Sequence, residues 1–415
     1  MIRFFTFTFL LAWISPLAGQ AIKDTVSTGP GYTQQIWYKL DGGEETSGTL
    51  NAWDLAFEAN GQSAAIFLNA VKGMQLFVYP NGDTTDWRAL DTAGFNSWAP
   101  LYNSPASWRQ GAFNAGTNPS DPFDLGWGKY NTITHHVTGD SLFVVKMADG
   151  SYQKLWIESL ISGTYTFRHA ALGDTAGMRH VVVKSNFADK NFGYFDMAGH
   201  QTIDPEPNRD DWDFLFTKYT AFIPVPYGVS GIKTNAGVQV ATIYPVDDVA
   251  AYNDTANLAY SDEADVIGWD WKQYTGSWSI EDSTVYIVKA KDGKIWKLVM
   301  EGFGGSADGN YMFSKELLSE TTPIDGEIED FFWNVYPNPA PQGVVNLVMD
   351  APRAGEAVSL SIINMEGKTV FQDSWNSSPG LFQQTLSLSH LSVGVYIVRL
   401  GYGDAMSIKK IVISR

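Results

Sequence analysis

Imidazole and thioether groups are the side chains in this sequence best suited to bind a transition-metal ion, since the chain has no cysteine. Two adjacent histidines, His135 and His136, precede a predicted hairpin and could supply such a ligand. In a strand they would point to opposite faces, so both could not hold one ion without a bulge, and a solvated pair is the alternative. His169, on the predicted closing strand at 163–170, is expected to be a strand-face residue. The remaining histidines are scattered without an HExxH-like spacing; they are His180, His200 and His390. The spacing therefore predicts no metal site.

Aromatic side chains in a run rich in Trp, Asn, Ser and Gly are the second group that could bind a ligand. These ligand-stacking candidates are Trp87, Trp98, Tyr102 and Trp108. Such rings can stack on a flat porphyrin or on a sugar ring. The alternative is that they pack as a cover over the sheets.

Two acidic clusters could offer oxygen ligands to Ca²⁺. They are Asp210, Asp211 and Asp213, and then Asp262, Glu263 and Asp265. Neither has the alternating acidic spacing and glycine of an EF-hand, so solvated acidic loops are the favoured interpretation. The sequence also lacks a GxSxG elbow, a phosphate-binding loop and a nucleophile-base pair. We therefore expect a protein that is not an enzyme and has no catalytic residues.

Composition and charge limit the kinds of partner that this protein can bind. The 415 residues carry a formal net charge of −17, which argues against nucleic acid because phosphate binding needs a basic surface. Residues 1–19 contain Arg3, an apolar run and then small residues, as a signal peptide does. No later stretch is long and apolar enough to span a membrane. The sequence thus predicts an exported protein without a transmembrane segment.

A repeated stretch organises the chain. Residues 141–157 (SLFVVKMADGSYQKLWI) and 284–300 (TVYIVKAKDGKIWKLVM) are 143 positions apart, and each contains two apolar runs around an Asp-Gly pair. Such pairs suit a type I′ hairpin turn, which needs positive φ. Each copy has a lysine before and after the turn; they are Lys146, Lys154, Lys289 and Lys297. A lysine in this position can bind an acidic ligand, or it can lay its stem over aromatic rings, which is the favoured interpretation.

The repeat extends over whole domains. The segment WDLAF at 53–57 has a counterpart, WDFLF, at 212–216, which is 159 positions later. Because this offset differs from that of the hairpins, the two copies differ in length in the middle region, which lies between the W-D segment and the hairpin. The repeated segments predict related domains at 20–171 and 172–318. We expect an all-β fold, because aromatics are 14% of residues and the 39 glycines suit turns.

The doubled unit resembles the HmuY family of haem-binding proteins. The resemblance rests on W-D-x-x-F after a strand, at Trp53–Phe57 and Trp212–Phe216. It rests also on the hairpin form [FY]-x-V-K-x-x-D-G-x-x-x-K-L, met by Phe143–Leu155 and Tyr286–Leu298. The resemblance implies an all-β fold and haem capture by two axial side chains from the middle of the domain.

The middle regions differ from the family where its iron ligands would lie. Between Glu58 and Leu125 the single candidate is Met74, and between Thr217 and Ile267 there is neither His nor Met. The family's ligands therefore have no direct counterpart in either copy. The haem-ligand candidates are Met74, His135 and His136.

The last part of the chain forms a separate domain. Residues 319–330 (SETTPIDGEIED) read as an acidic linker, and residues 331–415 contain short strands typical of a β-sandwich of immunoglobulin type. The segments VYPNPA at 335–340, LSVGVYIVRL at 391–400 and KKIVIS at 409–414 resemble the type A C-terminal sorting domain of the type IX secretion system of Bacteroidetes. The resemblance implies transport across the outer membrane by that machinery, followed by surface anchoring or release.

These features together predict a secreted or surface-attached protein that captures a ligand. Haem or another flat porphyrin is the leading ligand, and the first copy is the expected binder. The alternative is a surface adhesion or glycan-binding protein that keeps the HmuY-like fold without haem ligands.

Overall fold

In the computed structural model, the described residues are 20–61, 63–320, 333–341, 343–351, 355–364, 367–378, 380–403 and 405–414. The predicted signal peptide, residues 1–19, lies outside them, as does the predicted linker from residue 321 onwards. Within these ranges the chain consists of β-strands, loops and 3₁₀ helices of three to five residues. These helices are Pro30–Tyr32, Ala70–Lys72, Thr84–Arg88, Phe95–Ser97, Ala112–Asn114, Lys184–Phe187 and Gly305–Ala307. The prediction of an all-β fold is confirmed.

The strands before the terminal domain fall into three consecutive groups. The first group is β1 (Ile22–Ser27), β2 (Gln34–Lys39) and β3 (Gly43–Thr49). The second is β4 (Leu55–Glu58), β5 (Ile66–Leu68), β6 (Gln75–Val78), β7 (Pro100–Leu101), β8 (Gly128–Asn131), β9 (His136–Gly139), β10 (Leu142–Lys146), β11 (Tyr152–Ile161), β12 (Thr164–Ala171), β13 (Met178–Val183), β14 (Phe192–Asp196) and β15 (Gln201–Ile203). The third is β16 (Phe214–Phe222), β17 (Pro226–Thr234), β18 (Gln239–Ile243), β19 (Lys272–Tyr274), β20 (Trp278–Ile280), β21 (Val285–Lys289), β22 (Lys294–Phe303) and β23 (Asn310–Glu320).

The strands form two units with the same sheet order. In the first unit the sheets are β13-β12-β11-β10-β6-β7, which also holds β8 and β9, and β15-β14-β4-β5. In the second unit the corresponding sheets are β1-β23-β22-β21-β18 and β3-β2-β16-β17. Strand β12 shows the pattern that builds these sheets, since its side chains alternate between buried and half-buried from Tyr165 to His169.

The first strands of each predicted repeat pair with strands of the other repeat. β1 to β3, from the start of the first repeat, pair with β23 and β16 of the second unit. β13 to β15, from the start of the second repeat, pair with β12 and β4 of the first unit. The first unit is therefore contiguous, from β4 to β15, and the second is completed by the N-terminal strands. The repeat boundaries 20–171 and 172–318 remain a prediction about the sequence; hydrogen-bonded sheets join strands from both sides of residue 171.

Each unit has its own hydrophobic core. The core of the first unit includes Phe57, Phe143 and Tyr165, and all its members lie between residues 55 and 197. The core of the second unit combines Val26 and Tyr38 with residues 214–313. Burial of these apolar groups is the main contribution to stability. Each core includes residues from strands on both sides of the predicted repeat boundary at residue 171.

The repeated hairpins are confirmed, but their predicted turn type is wrong. β10 pairs with β11, and β21 pairs with β22, in antiparallel register. Gly150 and Gly293 have φ of 84° and 82°, whereas the preceding aspartates are not among the residues with positive φ. The Gly150 N–H donates to the Met147 carbonyl, and Met147 donates to Ser151. This is a type I turn followed by a left-handed glycine, and it needs positive φ at one residue where type I′ needs two.

The terminal domain is a two-sheet β-sandwich, as predicted. Its strands are β24 (Trp333–Tyr336), β25 (Ala340–Pro341), β26 (Val344–Ala351), β27 (Ala357–Asn364), β28 (Thr369–Asn376), β29 (Gly380–Ser387), β30 (Gly394–Tyr402) and β31 (Ala405–Ser414). One sheet has the order β24-β26-β29, and the other has the order β25-β31-β30-β27-β28. Leu347, Leu360 and Val398 are among the residues that fill the core of this domain.

Candidate functional site

The lysines that follow the two hairpin turns, Lys154 and Lys297, form hydrogen bonds to the backbone of the middle regions. Lys154 is fully buried, and its ammonium group donates to the Trp87 carbonyl at 2.7 Å. Lys297 donates to the carbonyls of Ala250 and Tyr252 at 2.9 and 3.1 Å and pairs with Glu316 at 2.6 Å. Burial lowers the pKa of Lys154. These two lysines therefore contact the protein's own backbone.

Met74 lies in the core of the first unit. Its side chain is 2% exposed and belongs to the cluster that contains Leu76 and Phe143. A thioether in this position fills space between apolar neighbours, and it would have to leave the core to reach an iron.

His135 and His136 lie in and after the turn between β8 and β9. His135 is exposed, has a φ of 58°, and its Nδ1 is 2.8 Å from the Tyr130 hydroxyl. His136 is half-buried at the start of β9 and pairs with Asn131. The structure therefore puts this pair on a different element from Met74, which precedes β6.

Trp87 and Trp98 pack against the outer face of the first unit. Trp87 is buried, and the Lys154 ammonium group lies 4.8 Å from its ring centroid. Trp98 is half-buried and contacts Tyr79 and Phe95 at centroid distances of 5.8 and 5.1 Å. Beside Phe95 a surface depression of about 510 Å³ is lined by Thr92, Gly94, Phe95, Asn96, Ser97 and Tyr152.

Tyr102 and Trp108 lie where the two units meet. The Tyr102 ring contacts Phe222 of the second unit at 5.5 Å. The Trp108 indole N–H donates to the Thr234 carbonyl at 2.7 Å, and its ring packs against Trp212 at 6.4 Å. The ammonium group of Lys233 lies 4.0 Å from the Trp108 centroid, and burial lowers the pKa of this lysine to about 8.

A small cavity lies beside Trp108. It measures about 90 Å³ and is lined in part by Trp53, Phe192, Tyr219 and Lys233. Sites for drug-sized ligands measure about 300–1,000 Å³. The cavity is therefore large enough for a few water molecules and too small for a porphyrin.

Three histidines that have no metal-binding spacing in the sequence come together at one end of the first unit. His169 lies on β12 and His180 on the adjacent β13, where the register places Met178 and Phe167 opposite them. His200 closes the turn between β14 and β15 and has a φ of 55°. One ring nitrogen from each residue lies within 4.8 Å of the others. In the described part of the chain, this cluster alone brings together three potential metal-ligating groups.

One side of the histidine cluster is buried in the protein, and the other side is exposed to solvent. His169 is 4% exposed, His180 is half-buried and His200 is exposed. The rings are stacked, with centroids 4.9 to 5.5 Å apart, and Phe195 packs against His180 at 4.9 Å. Nδ1 of His169 is 2.9 Å from Oε1 of Gln153 on β11.

Burial lowers the pKa of the two histidines that lie on strands, His169 and His180. Burial, together with the nearby charges of His180 and His200, lowers the pKa of His169 to about 4. The pKa of His180 is lowered for the same reasons, burial first and then His200. The Nε2 atoms of His169 and His180 are buried and have no hydrogen-bond partner. A buried polar atom without a partner is unusual in a native protein and calls for an explanation.

Sequence reasoning missed this cluster because its members are joined by strand register and not by spacing. Gaps of 11 and 20 residues match no metal-binding motif, and His169 belongs to the first repeat while the other two belong to the second. A signal was present: His169 lies in an alternating strand at a position where the pattern predicts an apolar side chain.

The first of the two acidic clusters that could bind calcium contains carboxylates that pair with lysines. Asp210 lies 2.6 Å from the Lys291 ammonium group. Asp213 is buried, lies 3.7 Å from Lys39, and accepts the Leu40 N–H at 2.9 Å. These contacts give both carboxylates cationic or amide partners from the chain itself.

The terminal sandwich is the part of the chain that the comparisons identify. Residues 334–414 match the family of secretion system C-terminal sorting domains. The protein is exported. Such a domain directs its chain through the type IX secretion machinery to the cell surface or the medium, so the predicted location is confirmed. A search of curated proteins finds no match for the chain. Among the described residues, no helix is long and apolar enough to cross a membrane.

Proposed function

We propose that this exported protein captures a ligand outside the cell, and that haem or another porphyrin is the ligand. The sorting domain supports the location. The resemblance of the repeated segments to the HmuY family is what suggests the ligand. Within the first unit, the turn between β8 and β9 offers the geometry that best suits this role. We treat the protein as a binding protein and not as an enzyme.

His135 is the observation that carries the proposal. The Tyr130 hydroxyl bonds to Nδ1 of His135 at 2.8 Å and leaves Nε2 free. Iron-ligating histidines commonly have such a partner on the second ring nitrogen, which orients the ring. Ile133, two residues earlier in the same turn, is 86% exposed. An apolar side chain beside an exposed imidazole suits contact with the face or edge of a macrocycle.

This geometry favours one axial ligand from the protein. Met74 is held in the core, and His136 is half-buried at the start of β9, where it pairs with Asn131. We therefore expect an iron with one protein imidazole and an open or water-filled sixth position.

Haemin titration of the mature protein tests the proposal. We expect a shift of the Soret band that saturates at one haem per chain, and the variant His135→Ala should abolish it. Met74→Leu conserves core volume and should leave the spectrum unchanged. No Soret shift with the unaltered protein, or the same shift with His135→Ala, would overturn the assignment.

Glycan binding is the second candidate, and the depression beside Phe95 favours it. Its volume of about 510 Å³ lies in the usual range for ligand sites, and its lining combines the rings of Phe95 and Tyr152 with the polar side chain of Asn96. On a glycan array, we expect any binding to depend on Tyr152. Retention of the signal by Tyr152→Ala would contradict this site.

A further inference from the structure

We propose that His169, His180 and His200 form a binding site for one divalent transition-metal ion, present in the first unit and absent from the second. The inference is independent of haem capture at His135. It rests on converging ring nitrogens, on buried nitrogens without partners, and on a comparison between the two units of the same chain.

The distances suit an ion after a small adjustment. The ligating nitrogens lie within 4.8 Å of one another. Around a tetrahedral ion with bonds of about 2.0–2.1 Å, such nitrogens lie about 3.3 Å apart. His200 lies on an exposed turn, so its side chain is the one that can move toward the other two, which strands β12 and β13 hold.

The surroundings have the features of a metal site. Oε1 of Gln153 accepts the Nδ1–H of His169 at 2.9 Å, which leaves the lone pair of Nε2 for an ion. The buried Nε2 atoms of His169 and His180 have no other partner. Phe167 and Phe195 provide an apolar wall, and exposed His200 leaves access from solvent.

The second unit provides a comparison at the equivalent position. Leu155 pairs with His169, and Leu298, which is 143 residues later, pairs with Lys315. Lys315 is thus the counterpart of His169. By the same reasoning, Asp24 on β1 is the counterpart of His180, because Ile22 pairs with Lys315 as Met178 pairs with His169.

In the second unit these groups satisfy one another. Lys315 and Asp24 form an ion pair at 3.5 Å. The Tyr38 hydroxyl donates to Asp24 at 2.5 Å and accepts from Lys315. This closed network needs no ligand. The first unit has three imidazoles at this place, and two of them keep a buried nitrogen without a hydrogen-bond partner.

The ligand set selects the class of ion. Imidazole nitrogen suits Zn²⁺, Cu²⁺, Ni²⁺ and Fe²⁺, whereas Ca²⁺ and Mg²⁺ prefer oxygen. Haem does not fit here, because its iron takes at most two axial ligands from the protein and three imidazoles converge on this point. The structure therefore assigns a bare ion with one coordination position left for water or another small ligand.

Metal titration of the full mature chain tests the site. We expect calorimetry with Zn²⁺ to give one ion per chain, and Co²⁺ to give the visible absorption of a tetrahedral site. Loss of an outer partner typically weakens a metal site about 10- to 100-fold, so loss of a ligand in His200→Ala should weaken it at least about 100-fold. Exposed His390 supplies the control, and His390→Ala should bind as the unaltered protein does.

A double variant distinguishes loss of the metal ligands from misfolding as the reason for lost ion binding. His169→Lys with His180→Asp installs the ion pair of the second unit in the first, and it should fold and bind no ion. Zn²⁺ should raise the melting temperature of the unaltered protein and leave that of the double variant unchanged. Absence of Zn²⁺, Ni²⁺ and Co²⁺ binding by the unaltered protein would overturn the proposal. Unchanged affinity in His200→Ala or in the double variant would also overturn it.

Discussion

Lys154 and Lys297 occupy equivalent positions after the two hairpin turns, and each directs its ammonium group to backbone carbonyls of a middle region. Burying a charge is costly unless it is hydrogen-bonded or paired. Lys297 meets this condition with Glu316, and Lys154 meets it with the carbonyl and ring of Trp87. The same residue type thus anchors two middle regions of different length.

We expect Lys154→Ala to destabilise the first unit by about 2–4 kcal/mol, since it removes a buried stem and leaves the Trp87 carbonyl without its donor. Lys146 lies on the other side of the same turn and is half-buried, so Lys146→Ala is the matched control. Its cost should be about 0.5 kcal/mol. Urea unfolding followed by tryptophan fluorescence measures both. Equal midpoints for the two variants would contradict an anchoring role for Lys154.

The turn of the hairpin is defined by its glycine. Gly150 has a φ of 84°, and a Cβ added there would meet no atom within 4 Å. A substitution therefore changes backbone strain without a steric clash. We expect Gly150→Ala to cost about 1–2 kcal/mol, which is the penalty for a left-handed residue with a side chain.

Gly173 is the control for this prediction. It also has open space around its Cβ position, but it is not among the glycines with positive φ. Gly173→Ala should leave stability unchanged or raise it by up to about 1 kcal/mol, because alanine restricts the unfolded chain. Thermal unfolding compares the two variants. A melting temperature for Gly150→Ala equal to that of the parent would show that the turn does not require positive φ.

Elements were more predictable from the sequence than the contacts between them. The hairpins and the strands of the terminal domain follow from alternating apolar residues and turn glycines, and the structure confirms them. The turn type was wrong because an Asp-Gly pair suits both a type I′ turn and a type I turn with a left-handed glycine. His169, His180 and His200 were missed because register between β12 and β13 and the position of the β14–β15 turn bring them together.

At the scale of the whole molecule, the exchange of strands links the two repeats. β1 to β3 complete the sheets of the second unit, while β13 to β15 complete those of the first. Intramolecular exchange of this kind is related to domain swapping between protomers, since equivalent elements trade places. It also assembles the histidine cluster, because His169 comes from one repeat and His180 and His200 come from the other.

The exchange predicts which fragments fold. A fragment of residues 52–208 contains every strand of the first unit and the whole of its core. A fragment of residues 20–171 has nearly the same length but lacks β13 to β15, and it carries β1 without β23 and β2 without β16. We expect the first fragment to unfold cooperatively on heating and the second to show no cooperative transition, because its sheet edges and core remain uncovered.

Two measurements separate this prediction from a simple effect of length or solubility. Near-ultraviolet circular dichroism reports fixed aromatic packing, which we expect for residues 52–208 and not for residues 20–171. Zn²⁺ should raise the melting temperature of the first fragment, which holds all three histidines of the cluster. A cooperative transition in residues 20–171 would mean that a repeat completes its own sheets, and the strand exchange would then not be required for folding.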